Sequence, residues 1–340
     1  MVIDCMDSIW DEYLGKFPLE KQDIYYTAKY YQMGQFLMHG SGQMFVCEGR
    51  DGDIALYPFI KRPVVHPYTK ELFFDIETAY GYGGPLVKGS HSGFIRKFEE
   101  QFLEYCRSER IIAEFVRFHP LLHNETVFRN HIQVLHNRST VWIDLDKDLE
   151  AIWMEELTAQ NRNTIRKCEK NGLYVKESHD YQAFMDVYNE TMEKVGAGEF
   201  YFFQSDYYDA VRNDEHYILL EVKQGDHLLA VGIFMGYGEF FHYHLSGSRK
   251  DFLRLAPNNL LLWEAVRYAK QLGYKKMHLG GGRTDSIEDS LFRFKSRFSS
   301  SVADFYIGKR IHDQEVYGLL VKEWEKKHGQ KLVRLLQYRE

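Results

Sequence analysis

The chain of 340 residues has few cysteines, few prolines and no excess of positive charge. Its cysteines are widely spaced and form no CxxC pair; they are Cys5, Cys47, Cys106 and Cys168. This spacing argues against a zinc knuckle or a dense disulfide framework, so we expect reduced thiols. The formal net charge of −6 excludes a surface built throughout to bind nucleic acid. Any basic site must therefore be local, and no DNA partner is expected.

Long apolar runs are also missing. No segment approaches the roughly 20 apolar residues that a membrane-spanning helix requires. The first residues, MVIDCMDSIWDEY, carry acidic side chains where a signal peptide carries cations. These features predict a cytoplasmic protein without a transmembrane segment.

Apolar and aromatic residues are plentiful, at 44% and 16% of the chain. A chain of this length and composition is long enough to build two hydrophobic cores, so we expect two domains.

The predicted elements recur in the same order in the two halves of the chain. Each half reads as a helix, an antiparallel hairpin, a strand that ends in a turn, a crossover helix and a further strand. The hairpins are MFVCEGRDGDIALYPFI and YILLEVKQGDHLLAVGIFM, and the crossover helices are SGFIRKFEEQFLEYCRSE and PNNLLLWEAVRYAKQLG. The repetition predicts a structural duplication in which each half is a mixed α/β sheet.

Four segments together carry a family resemblance: RNTIRKCEKNG, YHLSGS, PNNLLLWEAVRYAKQLGYKKMHLGGG and LFRFKSRF. They resemble the FemABX family of peptidyltransferases and their acyltransferase relatives, most strongly from about Asp148 to Phe298. The resemblance implies an α/β fold of two GNAT-like domains, each a mixed, mostly antiparallel sheet flanked by helices. The predicted domains are residues 1–147 and residues 148–340, the second preceded by a basic helix.

The resemblance also assigns roles to Phe294 and Lys295, which match the Phe-Lys pair at the family's transfer site. A fixed ammonium at Lys295 would stabilise the oxyanion of a tetrahedral intermediate. Phe294 would form an apolar wall that limits water. From the residues alone, LFRFKSRF is equally a half-buried element whose rings pack inward and whose cations are solvated.

The segment QNRNTIRKCEKNG predicts a basic helix. Arg162, Arg166 and Lys170 recur every four residues and so share one face, with Lys167 beside it. This face either binds a phosphate backbone or pyrophosphate, or lies in solvent as a basic stripe.

The strand EFFHYHLSGS predicts a second group of candidates. Strict alternation places His242, His244 and Ser246 on one face and Tyr243 on the other. His244 is a candidate base for an attacking amine, or else a core histidine bonded to backbone. No third ligand stands at a recognisable spacing, so no metal site is expected.

Glycine-rich turns and one helix start complete the predicted substrate-binding residues. The turns GYGGP, SGS and GGG let backbone N–H groups approach a ligand, which points to Tyr82, Gly83, Gly84, Ser246 and Gly281 as substrate-binding residues. Asn258 and Asn259 follow Pro257 at a helix start, where free N–H groups can bind an anion. Ordinary strand ends and helix capping are the alternatives.

The leading prediction is an enzyme that transfers an aminoacyl or acyl group from an activated donor to an amine. The resemblance implies charged tRNA as donor, a peptidoglycan precursor as acceptor, and no tightly bound cofactor. One alternative is an acyl-CoA-dependent N-acyltransferase on a small molecule, although the usual Q/R-x-x-G-x-G/A turn is missing. Another is a non-catalytic protein that binds RNA or a cell-wall precursor. The oligomeric state is left open.

Overall fold

A computed structural model describes residues 1–68, 70–89 and 92–339 of the chain. Contacts divide the chain into two compact units. The first unit comprises Met1–Lys21, Tyr25–Asn137 and Asp304–Glu340, and the second comprises Gln22–Ile24 and Arg138–Ala303. The predicted division between residues 147 and 148 therefore differs from the observed units, because the last part of the chain packs with the first unit.

The described residues form the following strands and helices, numbered in the order of the chain. The strands are β1 (Val2–Asp4), β2 (Ser41–Glu48), β3 (Ile54–Val65), β4 (Leu72–Glu77), β5 (Leu86–Lys88), β6 (Ile111–Arg117), β7 (Gln133–Asp144), β8 (Leu173–Ser178), β9 (Tyr217–Gln224), β10 (His227–Tyr237), β11 (Phe240–Ser248), β12 (Lys276–Gly281) and β13 (Val302–Ile311). The helices are α1 (Ile9–Leu14), α2 (Ala28–Met38), α3 (Ser92–Ser108), α4 (Glu125–Phe128), α5 (Leu149–Ala151), α6 (Ala159–Lys170), α7 (Tyr181–Lys194), α8 (Ser205–Arg212), α9 (Pro257–Gln271), α10 (Ser290–Lys295) and α11 (Gln314–His328). None of the helices in the described ranges is both long and apolar enough to cross a bilayer.

Each unit has a mixed sheet. In the first unit the order is β1-β2-β3-β4-β6-β13, with β5 also paired to β3. In the second unit the order is β7-β12-β11-β10-β9-β8. The crossovers through α3 and α9 make β4 parallel to β6 and β11 parallel to β12. The predicted fold class, with the same order of elements in each half, is confirmed.

The strands β7 and β13 are exchanged between the halves of the chain. β7 follows β6 in sequence, yet residues 140–144 pair antiparallel with β12 in the second unit. β13 follows β12, yet residues 307–311 pair antiparallel with β6 in the first unit. Each sheet therefore takes one strand from outside its own half, and one cut in the chain cannot separate the units.

Local sequence signals account for the elements that carry the candidate residues. Pro257 occupies the first turn of α9, whose buried residues include Leu261 and Val266. The Thr158 side chain accepts a hydrogen bond from the Asn161 N–H and so begins α6, while Asn171 ends it. The predicted basic helix is α6, and a separate π-helical turn of residues 152–156, which ends at Leu157, precedes it.

Candidate active site

Lys295 is the last residue of α10, and its side chain is only 7% exposed. Its Nζ donates a hydrogen bond of 2.8 Å to the Gly281 carbonyl oxygen at the end of β12. Burial lowers the pKa of Lys295 to about 7, because desolvation disfavours the ammonium form. The predicted Lys295 and Gly281 are thus in direct contact, and the lysine is poised between its charged and neutral forms near neutral pH.

Three groups of opposing character surround this amine. The Nζ lies 5.7 Å from the centre of the Tyr243 ring in β11. Asp289 raises the pKa of Lys295 and Arg138 lowers it, each through its charge, against the larger effect of burial. Arg138 donates a hydrogen bond of 2.7 Å to the carbonyl oxygen of Gly282, the residue after the one that holds Lys295. Such a buried amine can serve as a fixed positive charge for an anion that forms beside it.

Phe294 packs on the hydrophobic core of the second unit. Its ring meets Phe298 edge to face, with centroids 5.6 Å apart. The rings of LFRFKSRF thus pack inward, and Arg293 and Arg297 lie at the surface. The rings and cations that alternate in LFRFKSRF thus belong mainly to a short helix, α10, which holds Lys295 on its buried side.

A β-bulge in β11 changes the faces predicted for its residues. Leu245 pairs with Ile233 and Tyr243 pairs with Phe234, so His244 is an extra residue opposite β10. The Tyr243 hydroxyl and the Ser246 hydroxyl form a hydrogen bond, which places both on one face. The prediction of strict alternation through this strand is therefore wrong, and Ser246 joins the surroundings of Lys295 through Tyr243.

His244 makes a different set of contacts. Its Nε2 forms a hydrogen bond with the Tyr207 hydroxyl of α8. Burial, together with the smaller effect of the neighbouring His242, lowers the pKa of His244 to about 3. His242 itself is buried and lies 2.8 Å from a carboxylate oxygen of Asp23. An imidazole with this pKa is neutral at physiological pH. It is therefore a weak general base for the proton of an attacking amine.

The start of α9 holds the two predicted asparagines. Asn259 is buried, and its Nδ2 donates a hydrogen bond of 2.7 Å to Asn161 Oδ1 of α6. Asn161 in turn donates to the Arg297 carbonyl oxygen at 3.2 Å, just beyond α10. Asn258 carries a buried Oδ1 that has no hydrogen-bond partner among the described residues. Asn259 therefore ties α9, α6 and α10 together, whereas Asn258 takes no part in this hydrogen-bond chain through its Oδ1.

The basic face of α6 divides into a structural part and an exposed part. Arg162 donates to the carbonyl oxygens of Met154, at 3.0 Å, and of Leu157. Its guanidinium thus satisfies the end of the π-helical turn, which gives it a structural role. Arg166 lies over the Trp153 ring at 5.4 Å but stays exposed, as does Lys167. These two cations remain accessible to a phosphate.

The GYGGP turn lies in the first unit. The Gly83 carbonyl oxygen accepts hydrogen bonds from the Tyr26 hydroxyl and from Asn124 Nδ2, both of 2.8 Å. Gly84 has a φ of +85°, and a side chain there would meet Phe118 at 2.9 Å. Tyr82 is half-buried, with its ring 5.1 Å from that of Phe305. These contacts give the turn a clear role in folding.

The structure thus brings Lys295, Gly281 and Ser246 into one cluster and distributes the other candidates around the second unit or into the first. Sequence reasoning missed Arg138, Tyr207 and Asp289, and it placed Ser246 on the face opposite Tyr243, whereas the bulge brings the two together. Asp289 could have been found, because an aspartate directly before a helical segment is a common N-cap. Arg138 and Tyr207 are distant in sequence from their partners and gave no local signal.

Known proteins resemble this chain in sequence and in fold. Residues 158–296, which include the α6 and α10 candidates, match the family described as acetyltransferase (GNAT) domain. A curated relative is 26% identical over 277 residues, which cover 73% of this chain and 80% of the relative. It is the UDP-N-acetylmuramoylpentapeptide-lysine N(6)-alanyltransferase of Weissella viridescens.

Solved structures share the fold. A crystal structure of FemX matches 94% of this chain and 99% of its own, with a TM-score of 0.71 at 15% identity. The C-terminal domain of a putative lysylphosphatidylglycerol synthetase from Agrobacterium fabrum matches 93% of this chain and 97% of its own, with a TM-score of 0.54 at 15% identity.

The fold, the matching domain and the relatives define the chain as an acyltransferase built from GNAT-like domains. The resemblance to the FemABX family, predicted from its sequence motifs, is confirmed.

Proposed function

We propose that this chain transfers an aminoacyl group from aminoacyl-tRNA to an amine of a peptidoglycan precursor. The observation that carries the proposal is the buried Lys295 amine, held by the Gly281 carbonyl within the acyltransferase domain. The alanyltransferase relative indicates alanine as the group transferred and a lysine side chain of a UDP-linked muramoyl pentapeptide as acceptor.

The chemistry follows from aminolysis of an ester. The acceptor nitrogen, as a free amine, attacks the ester carbonyl, and a C–N bond forms while the carbonyl oxygen becomes an oxyanion. Lys295 in its ammonium form stabilises that oxyanion. The ester C–O bond then breaks, the nitrogen loses one proton, and the terminal ribose oxygen of the tRNA gains one. The apolar surroundings of Phe294 limit hydrolysis of the donor by water.

The donor site is proposed on the exposed part of α6 and at the start of α9. Arg166 and Lys167 are exposed and cationic, as contact with tRNA phosphates requires. Asn258, in the first turn of α9, offers an unpartnered Oδ1 that can accept a hydrogen bond from a hydroxyl of the donor. Ser246 and Tyr243 complete the wall beside Lys295.

The proposal is tested by supplying the purified protein with radiolabelled alanyl-tRNA and UDP-N-acetylmuramoyl-pentapeptide. We expect label to move to the pentapeptide, and an acceptor whose lysine amine is acetylated to receive none. A parallel assay supplies acetyl-CoA with the same acceptor, because the matching family is described as an acetyltransferase domain. Transfer from acetyl-CoA without transfer from alanyl-tRNA would replace the proposed donor. Saturable tRNA binding without any transfer would favour the non-catalytic alternative.

A separate prediction concerns His244. We expect the His244→Gln variant to keep the pH dependence of wild-type transfer between about pH 6 and about pH 9, because an imidazole with a pKa of about 3 does not titrate there. Initial rates over that range provide the measurement, and Tyr207→Phe is the control that removes the imidazole's hydroxyl partner. If the fall in rate at low pH that the wild type shows were lost in His244→Gln but not in Tyr207→Phe, His244 would be the base.

A further inference from the structure

The loop between β12 and α10 is closed by a single carboxylate. Asp289 Oδ1 accepts hydrogen bonds from the N–H groups of Leu291, at 2.9 Å, and Phe292, at 3.1 Å, and so caps α10. Its Oδ2 accepts from the Thr284 N–H at 3.3 Å. A side chain at Gly282 would meet Asp289 Oδ1 at 2.5 Å, so the carboxylate packs directly on the backbone beside Gly281.

This carboxylate connects the two ends of the Lys295 contact. Lys295 belongs to the helix that Asp289 caps, and its Nζ binds the carbonyl oxygen of Gly281, which adjoins Gly282. α10 has only six residues, so a change at its first turn is transmitted to its last. Fixing the loop therefore fixes the distance between Nζ and the Gly281 oxygen.

The same carboxylate also balances charge at Lys295. The charged and titratable groups that face the amine are Arg138 from β7, Tyr243 from β11 and Asp289 from the loop. Of the two charged groups, Asp289 favours the ammonium form, whereas Arg138 and burial oppose it. Burial raises the pKa of Asp289 itself, but hydrogen bonds from backbone N–H groups outweigh it and keep the group ionised.

We propose that Asp289 is a positioning residue for Lys295, because its carboxylate caps α10, fixes that helix against the Gly281 carbonyl and supplies a negative charge to the surroundings of the lysine amine. The catalytic meaning of this role rests on the proposed function. The coupling between the two side chains does not, and it is measurable without any substrate.

The coupling is tested by NMR titration of the protein labelled with [¹³C]lysine, with the Lys295 resonance assigned by its absence from Lys295→Met. Asp289→Asn keeps a capping side chain but removes the charge, so we expect the pKa of Lys295 to fall below its wild-type value. Asp180 is the matched control, because it also caps a helix of this unit, accepting from the Ala183 N–H at 2.9 Å. Asp180→Asn should leave the Lys295 titration in place. A titration unchanged by Asp289→Asn overturns the proposal, whatever the protein catalyses.

Kinetics separate the two parts of the role. In Asp289→Asn the alkaline limb of the rate profile should move to lower pH, because less Lys295 is cationic at each pH. Asp289→Ala also loses the cap, so kcat should fall by roughly 10²-fold with KM little changed. A rise in KM at constant kcat would contradict positioning. If the NMR shift is seen but no variant or wild type transfers alanine, the proposed function fails and the Asp289–Lys295 coupling stands.

Discussion

Replacing Lys295 with methionine is expected to lower the rate of transfer by roughly 10²- to 10³-fold. The reason is that the variant loses the cation that lies buried beside Gly281 and retains the shape of the site. Methionine is also unbranched and of similar length, so it can follow the path of the lysine stem. Single-turnover rates at saturating alanyl-tRNA measure the effect on the chemical step.

The same substitution should make the protein more stable at pH 7. The folded-state pKa of Lys295, about 7, lies below the ordinary value of 10.5, so the folded state binds this proton more weakly than the unfolded state does. The resulting penalty is fully present below the folded pKa and disappears as the pH rises toward 10.5. Lys295→Met should therefore gain about 2–4 kcal/mol at neutral pH, after the lost hydrogen bond to Gly281 is subtracted.

Urea unfolding of both proteins at neutral and at alkaline pH measures this gain. The difference in the free energy of unfolding should shrink as the pH rises, because the cost of burying the charged lysine in the wild-type protein disappears. Lys194→Met is the control, since Lys194 is exposed in α7, and it should change stability by less than about 0.5 kcal/mol. A variant that is both less stable and fully active would contradict the role of Lys295 on both counts.

The second large effect is expected at Arg310, a residue of the exchanged strand β13. Its guanidinium contacts Glu99 of α3 at 3.1 Å and Glu114 of β6 at 3.5 Å, and both carboxylates are buried. Glu114 also accepts hydrogen bonds from Tyr57, at 2.8 Å, and has His312 at 3.1 Å. Removal of the cation leaves two buried carboxylates without their main partner. We expect Arg310→Met to lower the free energy of unfolding by about 3–5 kcal/mol.

The pH dependence identifies the cause. Burial acts to raise the pKa of both carboxyl groups and Arg310 acts to lower it; the pKa of Glu99 stays raised, whereas that of Glu114 is lowered overall with the help of His312 and Tyr57. Without Arg310 their folded-state pKa values rise, so the deficit should be fully present above those values and diminish as the pH falls through them. Arg107→Met is the control, because Arg107 pairs with Glu104 on the surface of α3. Denaturant unfolding checks both variants, and an Arg310→Met deficit no larger than that of Arg107→Met would show that the buried network contributes little.

Much of the fold is predictable from local sequence patterns. The hairpin β9–β10 is marked by two apolar runs around the turn at Gly225, and α9 by Pro257 and its apolar spacing. The strands β7 and β13 were not predicted, because their partners lie more than 100 residues away and a long-range pairing leaves no local mark. That non-local pairing is also why a division at residue 147 differs from the observed units.

The candidate site was predictable only in part. The motif pointed to Lys295, but the faces of β11 depended on one bulged residue, His244, which alternation cannot reveal. The role of Arg162 depended on the π-helical turn before it, because that turn ends at Leu157 and leaves carbonyl oxygens that a continuous helix would pair internally.

The exchange of β7 and β13 has a consequence for synthesis of the chain. A ribosome completes the second unit's sequence at Ala303, before it reaches the strand that pairs with β6. Until β13 emerges, the edge of β6 has no strand to pair with, and Glu99 and Glu114 lack the ion pairs that Arg310 supplies. Nascent chains usually fold from the N-terminal domain onward. Here the half that is made first becomes native last, and the nascent chain must keep an open strand edge from aggregating until then.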